Sequence, residues 1–110
     1  MVNWKNACMG DKKRLQAVST VLANYPWLID EIFHPTEASL RTSPQALLRG
    51  RSSGEKVLIG TAVDVWNSGA GVKLTDLEHL DNENLMNVFK ALALLRAPYQ
   101  EREPNGKPIS

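Results

Sequence analysis

At 110 residues the chain has the size of one domain, and its 43% apolar content suffices for one ordinary core. A net charge of +1 with 23% charged residues excludes disorder on grounds of composition, and it lacks the basic excess usual in proteins built around polyphosphate ligands. A single cysteine, Cys8, excludes an intrachain disulfide and suits a reducing compartment.

The segment Met1–Cys8 has no apolar run resembling a signal peptide, and no apolar stretch approaches the roughly 20 residues that cross a bilayer. A cytoplasmic protein with no membrane partner is expected. The first helix is expected to open at Asp11, a residue suited to capping, and to carry Leu15, Val18, Leu22 and Tyr25 at helical spacing until Pro26 ends it. A short, strongly apolar helix with Pro26 in its first turn follows, holding Trp27, Leu28, Ile29, Ile32 and Phe33 and stopping at His34-Pro35.

Residues 36–42 are ambiguous, with one helical turn carrying Leu40 as the reading. Ser43-Pro44 is a start signal for a turn that Gly50 closes, and Arg49–Gly54 reads as a flexible basic loop. Ser52 and Glu55 have capping-box spacing. The helix they open carries Val57, Leu58, Ile59, Ala62, Val63, Val65 and Trp66 around almost its whole circumference, as an enclosed helix does, although its β-branched content also suits a buried strand. Gly60 in its middle suggests a close crossing with another helix, and Gly69 and Gly71 end it. Thr75 and Glu78 form a second capping box, and Asp81 or Asn82 can cap a last helix with Leu85, Val88, Phe89, Leu92 and Leu95 on one face and Met86 and Ala93 beside it.

The expected fold is therefore all-α, a compact irregular bundle of five or six short helices around a central apolar helix at about 55–67. One domain spans 1–97, with 1–10 poorly ordered in part, and 98–110 reads as a flexible tail.

No constellation names a reaction. His34 and His79 are far apart and lack converging ligands, so neither points to catalysis or a metal, and no cofactor is expected. Cys8 reads as a partly buried structural thiol. Asp64, inside the most apolar helix, is a buried polar candidate: a functional acid or partner anchor on one reading, a structural acid on the other. The segment Gly50–Lys56 fails as a phosphate-binding loop, because its glycine spacing is one short and Val57 stands where serine or threonine is required. Residues 81–84 are too short for a calcium loop.

A helix-turn-helix drawn over residues 74–95 would place Asp81 and Glu83 against phosphates, with almost no exposed basic side chains on its reading helix. What remains is surplus apolar surface, for which a well-filled core is the alternative explanation. The sequence thus suggests a non-enzymatic protein-interaction or regulatory module of bacterial or phage type, binding a protein partner or itself as a homodimer. Its expected partner-binding residues are Trp27, Ile29, Ile32, Phe33, Met86 and Phe89. The alternative is a nucleic-acid-binding regulator using the basic residues Arg49, Arg51 and Lys56.

Overall fold

A computed structural model of the chain describes residues 2–5, 7–67 and 69–96, so the expected tail 98–110 lies outside the described residues. These residues form five α-helices and one 3-10 helix: α1 (Met9–Val21), α2 (Trp27–Ile32), α3 (Pro44–Leu48), α4 (Ser53–Asn67), the 3-10 helix Leu74–His79, and α5 (Asn82–Arg96). The class is all-α. Among the described residues the nearest approach to a sheet is an isolated antiparallel bridge between Phe33 and Leu40.

Helix α4 is the axis of the bundle and packs against α1, α3, the 3-10 helix and α5. It begins where expected, with the Ser52 hydroxyl accepting from the Glu55 amide at 3.3 Å. The Glu55 carboxylate turns instead toward Arg51, at 3.5 Å. Val57 to Val63 are buried without a break, followed by Val65 and Trp66. At the far end of α4 Trp66 joins Trp4 and Phe33 in an aromatic cluster, with ring centroids 5.1–5.5 Å apart and mostly edge-to-face. Such pairs contribute about 0.5–1.5 kcal/mol each beyond the area they bury. Trp4 is docked by its indole N–H on the His34 carbonyl at 3.0 Å, and with Val2 packed beside the core the N-terminal segment contributes to it.

Several local expectations change. Helix α1 starts at Met9, with the Cys8 thiol accepting from the Asp11 amide at 3.4 Å, so Asp11 lies in the first turn and is not the cap. It ends at Val21, well before Pro26, and the turn that follows sends the Asn24 amide to the Asn84 side chain at 3.2 Å. Residues 36–42 make no helical turn. The His34 imidazole Nδ1 accepts from the amides of Thr36 and Glu37 at 3.2 and 3.1 Å, which reverses the chain and returns Leu40 to Phe33. Gly60 does face a close neighbour, but that neighbour is a loop. A Cβ there would lie 2.8 Å from a Val72 methyl. The 3-10 helix is capped two residues earlier than the Thr75 reading, at Lys73, with the Asp76 carboxylate accepting from the Lys73 amide at 2.9 Å.

The largest change concerns α5. The apolar face read from the sequence carries Leu85, Val88, Phe89, Leu92 and Leu95. The face that is buried carries Asn84, Asn87, Val88 and Ala91, which is roughly a quarter turn around the helix. Small and amide side chains suit a close approach to α1, whose own buried residues are Ala17, Val18 and Val21. The Asn84 side-chain oxygen accepts from the Asn24 side-chain amide at 3.2 Å, and among the described residues no fully buried side-chain nitrogen or oxygen lacks a hydrogen-bond partner.

Candidate functional site

Turning α5 inward on its asparagines leaves its larger apolar residues outside. Met86, Phe89 and Leu92 are 53%, 49% and 46% exposed, with Leu85 half-buried beside them. Leu92 also forms one wall of a groove of about 230 Å³ between α4, α5 and the 3-10 helix, lined mainly by Val65, Val72, Leu74, Leu77, Val88 and Leu95. Leu74, at the rim, is 86% exposed and is the most exposed large apolar side chain among the described residues. Because Leu92 belongs to both, the groove adjoins the exposed apolar residues of α5, a clustering unlike the scattered single residues usual on a monomer.

The loop that shapes the groove is held by Asp64. One carboxylate oxygen accepts from the amides of Ala70 and Gly71 at 2.7 and 3.0 Å, and the other from the Val72 amide at 2.6 Å. Gly71 has φ 70°, the left-handed conformation this tight turn requires. Three consecutive N–H donors thus satisfy the acid from its own following loop, and the loop in turn positions Val72 and Leu74 at the groove. Asp64 lines the groove wall, but both its oxygens are already committed to backbone donors.

The expected partner-facing residues divide. Met86 and Phe89 lie on the apolar surface just described. Trp27 is 58% exposed at another place, stacked edge-on against Tyr25 at 5.5 Å. Ile29 is half-buried, while Ile32 and Phe33 are fully inside the core, where no partner reaches them in the folded chain. Their crowding in sequence reflects one short helix and one extended residue pointing into the same centre. Leu74 and Leu92 were missed as surface residues, since nothing in the sequence distinguishes an exposed leucine from a core one.

Of the basic residues named for nucleic acid, one is engaged within the fold. Arg51 donates to Glu31 at 2.8 Å and also faces Glu55, and the bond to Glu31 holds its guanidinium above the ordinary arginine range. Arg49 and Lys56 are exposed near the start of α4. Arg14 sits at the opposite end of that helix, donating to the Trp66 carbonyl at 2.8 Å, where a cation complements the negative end of the helix dipole. Ten residues of helix, about 15 Å, separate Lys56 from Trp66.

No helix among the described residues is long and apolar enough to cross a membrane, and no group of three or more His, Cys, Asp or Glu residues is placed to hold a metal ion. Comparison of the chain with protein-family models, curated proteins and solved structures finds no match.

Proposed function

We propose that this protein is a small interaction module that binds a protein partner through the α5 face and the adjoining groove. The observation that carries the reading is the inversion of α5: a helix that buries two asparagines while exposing Met86, Phe89 and Leu92 has its apolar residues arranged for a second molecule. Exposing large apolar side chains to water brings solubility costs that a partner surface offsets. Phe89 and Met86 are suitable anchors, being large, adaptable and central on the face. The groove beside them accepts an apolar side chain from the partner.

A protein partner is favoured over nucleic acid because Arg51, one of the three basic residues of that alternative, is already matched by two carboxylates. Arg14 is held on the Trp66 carbonyl at the far end of α4, away from the exposed Arg49 and Lys56. The test is affinity capture from native lysate with wild-type bait and a Phe89→Glu bait side by side, each with and without nuclease. A protein retained near stoichiometry by wild type, insensitive to nuclease and lost with Phe89→Glu, is the expected result. Retention by both baits, or loss on nuclease treatment, would overturn the reading.

A further inference from the structure

We infer that the occupant of the α5 face is a second copy of this chain, paired antiparallel about a two-fold axis that passes between Phe89 and Lys90. This inference rests on the interaction-module reading above and names its partner.

The outward stripe of α5 runs through Asn82, Met86, Phe89, Ala93 and Arg96, all exposed, and lies opposite the buried Asn84, Asn87 and Ala91. The stripe is self-complementary in the antiparallel sense. A two-fold axis between residues 89 and 90 sets Met86 level with Ala93 of the other copy, a large side chain against a small one, and does so twice by symmetry. It also brings Leu85 and Leu92 of the two copies to neighbouring levels on the flank that borders the groove.

Charge follows the same axis. The start of α5 is acidic, with Asp81 and Glu83, and its later half is basic, with Lys90 and Arg96. Antiparallel pairing sets the acidic end of each helix beside the basic end of the other, Glu83 level with Arg96, and opposes the two helix dipoles. Parallel pairing would set like ends together. Lys90 borders the axis, where its long stem covers the apolar edge while its ammonium stays in water.

One stripe of a 15-residue helix with a groove rim is a modest area beside that of a stable obligate dimer, so dissociation on the order of 10 µM is expected.

The experiment uses the full chain with Cys8→Ser, which removes the exposed thiol and retains a capping hydroxyl. Sedimentation across concentrations spanning that range is expected to show a rise toward twice the chain mass, abolished by Phe89→Glu with helicity unchanged. Under oxidation, Met86→Cys combined with Ala93→Cys is expected to give a covalent dimer, and either substitution alone is not. Within one helix the two positions are about 10 Å apart along the axis and cannot bridge each other, and the same spacing separates equal positions across an antiparallel pair. Cross-linking by Met86→Cys alone would overturn the antiparallel arrangement. A monomer at every concentration, with no cross-link, would overturn self-pairing altogether. In that case, capture of another protein that Phe89→Glu abolishes leaves the interaction-module reading standing, and no such capture removes it too.

Discussion

Helices α4 and α5 are each 15 residues long and both are rich in apolar side chains, yet they place them oppositely. α4 is surrounded on most sides and buries nine residues, including Gly60 and Thr61. α5 is buried on one side only, and that side holds Asn84, Asn87, Val88 and Ala91, while Met86, Phe89 and Leu92 face water. Apolar content alone therefore does not identify core. The number of neighbours around a helix decides how much of it is needed inside, and whatever exceeds that number is available for association.

The contrast can be broken most forcefully at Ile59, which is fully buried in α4. Ile59→Ala is expected to cost about 2–5 kcal/mol in urea unfolding, and a loss below 1 kcal/mol would mean that α4 is not the centre of the core. Next comes the loop that joins core to groove. Asp64→Ala removes the acceptor of three amides and is expected to cost about 1–3 kcal/mol, with Asp64→Asn intermediate because one oxygen remains. Fast amide exchange at Ala70 and Val72 should accompany the loss, and protection unchanged from wild type would contradict the role given to Asp64. Gly60→Leu forces a side chain into the 2.8 Å gap beside Val72 and is expected to cost about 1–3 kcal/mol, read as a lowered melting temperature. The smallest effect belongs to α5. Phe89→Ser should change stability by less than about 0.5 kcal/mol in dilute solution, and a cost like that of Ile59→Ala would erase the distinction between the two helices.

Much of the architecture was legible before any coordinates. The starts of α3 and α4 followed from Ser43-Pro44 and from Ser52, because a short hydroxyl placed three residues before a free amide has few other uses. The enclosed character of α4 followed from its unbroken circumference of apolar residues. The start of α1 is hard to read because a cysteine thiol is an uncommon cap, although Cys8 accepts where a serine would. The hairpin at residues 34–40 was unreadable because it depends on an imidazole accepting from two amides, an arrangement without a spacing signature.

The surface was only half legible. Met86 and Phe89 were singled out for surplus apolar character, and both lie on the exposed face. Ile32 and Phe33 were singled out for the same reason and are core, because the N-terminal segment supplies Trp4 to pack with Phe33. A count of apolar residues in a window cannot contain a neighbour thirty residues away. The inward orientation of α5 was hidden for a related reason: Asn84 faces in because Asn24 meets it there. Asp64 was recognised as a polar group in an apolar helix, but its three donors lie in the loop beyond and are ordered only by the turn at Gly71.

The central claim is that the apolar face of α5 serves self-association and not folding. It is tested most directly by urea unfolding of wild type and Phe89→Glu, each at several protein concentrations. The account predicts that the wild-type midpoint rises with concentration, while that of Phe89→Glu stays constant and equals wild type in the dilute limit. A Phe89→Glu variant destabilised by several kcal/mol at every concentration, or a wild-type midpoint that does not move with concentration, would contradict it.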